Sequence, residues 1–199
     1  MKRFLIILVA LVVSLGAGAQ EKGADVLRAV GERVAEMGAY RIDFELDVPG
    51  AESGYCVVDG QKYLIEIADM KQGCDGQTLW MMLGASREIT ILEPNLKSRS
   101  LFDNPTRAFD FAEELFEVVT FDESDGKVWK LTLRPAEGVL DGIEGVILEV
   151  SRATGLPTLL GYDMGVGLNV KIGKFAKWAP KEDDFALPEM EGYEVIDFR

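Results

Sequence analysis

The chain has 199 residues, 34 acidic against 21 basic side chains, a net charge of −13 and no histidine. Such a surface repels nucleic acid and anionic membrane. Without histidine there is no Ser–His or Cys–His catalytic arrangement and the commonest metal ligand is missing, and no motif for catalysis, a cofactor or a metal takes their place, which argues against an enzyme.

Residues 1–19 read as a secretion signal. Lys2 and Arg3 supply the charged start, residues 4–15 the apolar stretch, and Ala17-Gly18-Ala19 the small residues for cleavage before Gln20. The apolar run is short for a membrane span, and no stop-transfer pattern follows. No cysteine stands just after the cleavage point, so the chain is not itself marked for lipidation. Residues 20–199 are expected to form one exported domain.

Val26, Leu27, Val30, Val34 and Met37 recur at helical spacing over residues 24–37, with Gly38 as the stop. The period then changes. Tyr40, Ile42, Phe44, Leu46 and Val48 alternate with Arg41, Asp43, Glu45 and Asp47, the pattern of a half-buried strand ended by Pro49-Gly50. Residues 55–58 and 63–67 form a hairpin across Asp59-Gly60. Cys56 and Cys74 then fall at one end of this region. Export makes a disulfide between them the expectation, with two free buried thiols as the other possibility.

Asp75-Gly76 is a turn, and the uncharged run at residues 78–83 reads as a strand covered on both faces and therefore inside a sheet. Residues 88–92 make the next strand. Asn104-Pro105 reads as a helix cap and first turn, with Ala108, Phe111, Ala112, Leu115, Val118 and Val119 on one face of a helix over residues 106–119, and Glu113, Glu114 and Glu117 on the wet side. Phe109 and Phe116 widen the apolar face. Strands follow at residues 127–134, 143–150, 159–164 and 166–172. Phe175 breaks the parity of the last, so a bulge is expected near Gly173. Residues 185–198 read as a terminal extended segment. Roughly nine or ten short strands with two helices give a mainly β fold: one antiparallel sheet curled around a helix.

With these features in place, the chain resembles the periplasmic outer-membrane lipoprotein carrier family (LolA-like). The likeness lies in the signal peptide leading into ADVLRAVGERVAEMGAYRIDFEL and in the Asp75-Gly76-Gln77-Thr78-Leu79-Trp80 turn and strand. It extends to the Pro-started segment in mid-chain and to the ending Phe185-Ala186-Leu187-Pro188 with Gly192-Tyr193-Glu194-Val195-Ile196-Asp197. The family's arginine–proline pair before the third strand, which helps to hold the lid closed, has no counterpart around Asp59-Gly60-Gln61.

The resemblance implies an open half-barrel, a single strongly curved sheet with an N-terminal helix and a lid helix over a greasy concave face. It further implies a monomeric periplasmic carrier in a Gram-negative type of envelope. Such a carrier takes lipoprotein or lipid acyl chains from an inner-membrane donor to an outer-membrane acceptor, without a cofactor. Phe44, Ile65, Trp80, Met82, Ile91, Trp129 and Leu131 are then expected to line the cavity, and Phe109, Phe111, Leu115 and Phe116 to form the lid. An acyl chain of about fifteen carbons gains on the order of 10 kcal/mol by burial at ~0.8 kcal/mol per methylene, so a lid that refills the empty cavity aids release. The alternative is an exported binding or scaffold module with a packed core, acting through its acidic surface.

Overall fold

The residues that alternate most regularly in the sequence form β1 (Tyr40–Leu46), and the sheet grows from it on both sides. The computed structural model describes residues 2–48, 52–99, 103–112, 114–140, 142–165, 167–181 and 183–199, with side chains from residue 18 onward. The expected turn at Pro49-Gly50, and the roles assigned to Glu113 and Val166, lie outside the described residues. Helix α1 (Lys2–Ala35) precedes β1. Then come β2 (Ser53–Asp59), β3 (Lys62–Ile67), β4 (Met70–Cys74), β5 (Leu79–Leu83) and β6 (Glu88–Leu92). A 3-10 turn at Pro105–Arg107 leads to β7 (Phe116–Asp122), β8 (Val128–Pro135), β9 (Gly145–Ser151), β10 (Pro157–Asp163), β11 (Gly167–Lys177) and β12 (Glu194–Asp197).

All twelve strands join one sheet in the order β12-β6-β5-β4-β3-β2-β1-β11-β10-β9-β8-β7. Every pairing is antiparallel except β12 with β6. The sheet curls as an open half-barrel and does not close, so β12 and β7 remain edges. The bulge anticipated from the parity of Phe175 is present. Asp43 pairs with Lys174 and Phe44 with Ile172, so Gly173 is the extra residue. The bulge brings Phe175 back to the inner face, where its ring lies 5.1 Å from Tyr40 and 5.4 Å from Phe109.

Register assigns the faces. Tyr40, Ile42 and Phe44 pair with Val58, Cys56 and Gly54, and these with Tyr63, Ile65 and Ile67. All point to the inner face, where α1 lays down Leu27, Val30 and Val34. Each such side chain stabilises the fold by about 1.5–3 kcal/mol through burial. Gly23 lets α1 approach β7 closely: a Cβ there would lie 2.7 Å from a Val118 methyl. Gly38 ends the helical region at φ +67°, as its position in the sequence suggested.

The helix expected at residues 106–119 is not formed. Only Pro105–Arg107 makes a 3-10 turn, and from Phe116 the chain is extended as β7. The run Phe116-Glu117-Val118-Val119-Thr120-Phe121 is rich in aromatic and β-branched residues, which suit a pleated sheet better than a helix, and it pairs with β8 at the sheet edge. The Asn104 side chain does not cap the turn. The described residues of this stretch, 93–99, 103–112 and 114–115, instead form an irregular plug against the inner face, with Leu96, Ala108, Phe109, Phe111 and Leu115 turned to the core.

The expected disulfide is also absent: Cys56 and Cys74 are free and buried. Cys56 pairs with Ile65, and Ile65 with Gln72, two residues short of Cys74. Two strand spacings and a two-residue offset separate the Cα atoms by roughly 11 Å, beyond the ~4.4–6.8 Å a disulfide spans. Tyr63 stands between them.

Burial raises the Cys56 thiol from 9.0 to about 12. The unfolded chain therefore ionises first. Stability from this group is complete below pH ~9 and is lost as pH climbs towards 12. Denaturant midpoints should fall over that window, and Cys56→Ala should flatten part of the fall. Thiol titration of denatured, unreduced protein should count two thiols per chain; none would restore the disulfide.

Candidate functional site

Of β5 only Trp80 is buried and the other four residues are half-buried, a thinner cover than its uncharged sequence suggested, and on the outer face that cover is not a helix. After β11 the chain crosses the outer face to reach β12. Trp80 pairs with Gly73 and Ile91, and Met82 with Ile89, so Trp80, Met82 and Ile91 all point outward. There Trp80 is 3% exposed and its indole N–H donates to the Phe185 carbonyl at 3.3 Å. A Cβ on Gly73 would lie 2.3 Å from the Trp80 ring, so glycine is what admits the indole between strands. Val57, Ile89, Ile91 and Phe185 complete this second, outer core. The expectation that Trp80, Met82 and Ile91 line the concave cavity is thus corrected: each sits on the other face because strand parity puts it there.

The other expected residues lie on the inner side. Phe109, Phe111, Phe116 and Leu131 are buried, while Leu115 and Trp129 are half-buried against the same core. Phe111 meets Phe116 edge to face at 5.4 Å and Phe109 at 6.3 Å. Trp129 also lies under the Arg152 guanidinium, 5.5 Å from the ring centre. On the β7–β10 side this packing is solid, with Leu133, Leu148 and Val150 fully buried.

Phe44 and Ile65 stand elsewhere, on the wall of a cavity of about 340 Å³ over β1–β4. Leu46, Cys56, Ile67, Met70, Gln72 and Val170 complete it. Its size falls in the range of ligand pockets, and one wall residue in eight carries an amide. That amide is tied back: Gln72 Nε2 donates to the Tyr63 hydroxyl at 3.2 Å, which donates to the Asp103 carbonyl at 2.9 Å. Burial lifts the Tyr63 phenol to about 12, keeping it a neutral donor at ordinary pH.

Sequence reasoning missed Leu46, Cys56, Ile67, Met70, Gln72 and Val170 as wall residues. Leu46, Ile67 and Val170 continue alternations already visible. Met70 and Gln72 belong to β4, whose sequence Met-Lys-Gln-Gly-Cys carries no strand signal and is held by its neighbours β3 and β5.

The plug is fastened by one buried polar side chain. Asn104, 1% exposed, donates through Nδ2 to the Leu96 and Ser98 carbonyls at 3.0 and 3.1 Å and accepts from Thr106 Oγ1 at 2.6 Å. Asn104 thus closes a loop around the carbonyls that an irregular segment cannot satisfy by itself.

No protein-family model matches the chain, and no curated protein matches it. Solved structures do. An uncharacterised conserved protein from Thermus thermophilus is similar over 88% of this chain and 99% of that one, with 10% identity and a TM-score of 0.60; the two share a fold. A putative outer membrane lipoprotein-sorting protein domain from Vibrio parahaemolyticus is similar over 80% of this chain and 95% of its own, at 13% identity and a TM-score of 0.46. A LolA superfamily protein from Nitrosomonas europaea is similar over 82% and 97%, at 10% identity and a TM-score of 0.44.

Two substitutions test this division of the molecule. Trp80→Ala should cost about 3–5 kcal/mol in chemical denaturation and leave the inner cavity unchanged. Asn104→Ala should cost about 1–3 kcal/mol and speed amide exchange across residues 95–112, with β7–β10 unaffected.

Proposed function

We propose that the chain is an exported carrier that holds the acyl chains of lipoproteins, or of a related lipid, in the cavity over β1–β4 and shuttles them from inner to outer membrane. The observation that carries this reading is the cavity: an apolar hollow of about 340 Å³ on the inner face of the half-barrel. Residues 1–19 would direct export and be removed. The donor and acceptor would be transient membrane partners, and the carrier would act as a monomer. Its acidic surface suits a carrier that must leave an anionic membrane once loaded. On release the plug would have to shift over β1–β4 to refill the cavity, a role the sequence assigned to a helix.

Packing on the β7–β10 side supports the second reading, a scaffold module acting through its acidic surface. Mass spectrometry of lipid co-purifying with the mature protein separates the two. Lipid with one or more acyl chains is expected; protein that carries none and binds no fluorescent acyl probe would favour the scaffold.

Ile67→Trp places a large ring in the cavity without touching the plug. Probe affinity should fall at least tenfold, about 1.4 kcal/mol, with stability held or raised. Unchanged affinity would move the acyl site elsewhere.

A further inference from the structure

Arg99 and Arg107 converge on one carboxylate oxygen at the border of the inner core. Asp110 Oδ2 lies 2.9 Å from Arg99 Nη2 and 2.7 Å from Arg107 Nη2, and Arg107 Nε also reaches it at 3.3 Å. Arg107 Nη1 donates to the Lys97 carbonyl at 3.4 Å. The Arg99 side chain is only 16% exposed, and its Nε–H is buried with no acceptor among the described residues. Asp103, the next carboxylate on this segment, accepts from Ser98 Oγ at 3.1 Å. Two guanidiniums therefore share one carboxylate and one N–H stays orphaned, in a chain whose net charge is −13. A buried charged donor without an acceptor calls for a group that supplies one.

The surroundings say what kind of group. Phe111, Phe116, Leu140, Leu160 and Tyr162 border the same small hollow as both arginines. Leu160 pairs with Val170 on the neighbouring strand, and Val170 is a wall of the apolar cavity. Adjacent strands lie about 4.8 Å apart. Val170 and Leu160 are both buried, so a chain lying in the cavity would bring its polar end to the arginines by parting this pair. Guanidinium forks match carboxylate and phosphate oxygens bidentately, and Asp110 stands where such an oxyanion would bind.

We infer that Arg99 and Arg107 bind the oxyanion head, a carboxylate or phosphate, of an amphiphile whose tail fills the β1–β4 cavity. The inference rests on the carrier reading and narrows its cargo to anionic lipids. On binding, the head accepts from Arg99 Nε and Nη2 and from Arg107, displacing Asp110 from one or both.

The test titrates the mature protein with a dansyl-labelled medium-chain fatty acid and with its methyl ester at neutral pH. The acid should bind roughly 10- to 100-fold more tightly, the worth of a charge-assisted hydrogen bond. Arg99→Gln should bring the acid to the affinity of the ester and leave the ester unchanged. Arg107→Gln, at a more exposed position, should act in the same direction and carries the test if the Arg99 variant fails to fold. Inorganic phosphate alone should bind far more weakly than the acid in calorimetry; binding as tight as the acid would make this a free-anion site and overturn the proposal. Equal affinity for acid and ester in the parent overturns the arginine site and leaves the carrier standing. Loss of both probes together in the variants assigns the arginines a structural role and also overturns it. Binding of neither probe by the parent removes the carrier reading and this inference with it.

Discussion

An open sheet of twelve strands has two faces to cover, and no single element of this chain is large enough for either. That constraint shapes the rest of the molecule. On the inner face α1 reaches from β7, where Gly23 permits contact with Val118, to the neighbourhood of Tyr40 and Val58. The plug adds Phe109 and Phe111. Between them they fill the β7–β10 side and leave a hollow over β1–β4. The cavity is thus a remainder, set by where the covering elements run out.

The outer face is solved differently. Charged and polar side chains cover most of it, but at β5 and β6 the alternate positions are Trp80, Ile89 and Ile91. These demand a lid of their own. The C-terminal segment supplies it, with Phe185 against Trp80 and β12 paired in parallel to β6. Parallel pairing follows from the path: a chain that crosses the face before joining the edge arrives in the same direction as β6. This arrangement keeps the most uncharged strand out of the cavity, and it leaves the inner wall to smaller aliphatic residues and Phe44.

Polar groups decide how firmly the plug is held. An irregular segment over an apolar face leaves backbone carbonyls without partners. Asn104 takes two of them and the Tyr63 hydroxyl takes a third. Such bonds contribute about 0.5–1.5 kcal/mol each, far less than the ~10 kcal/mol available from burying an acyl chain. A segment held this way can give ground to a ligand, where a helix with its backbone bonds made internally would have to move as a body.

Much of this was legible in the sequence, and the reasons for the rest are local. Alternation of period two determined β1, β8 and the bulge at Gly173, because a half-buried strand writes its register into every second residue. The period of 3.6 and Gly38 determined the end of α1. The number and spacing of short strands determined a mainly β chain, and composition excluded histidine chemistry. Tertiary structure alone decided β7, where the same apolar residues satisfy both periods and only the pairing with β8 chooses between them. It alone decided that Trp80 faces outward: the run from Leu79 to Leu83 is apolar at every position, so it carries no parity to read. It alone placed Cys56 and Cys74 two strands apart, because β4 has no signal of its own and takes its register from β3. Sequence patterns report which residues avoid water. Which partner excludes the water is settled by long-range pairing, and the cavity exists only at that level.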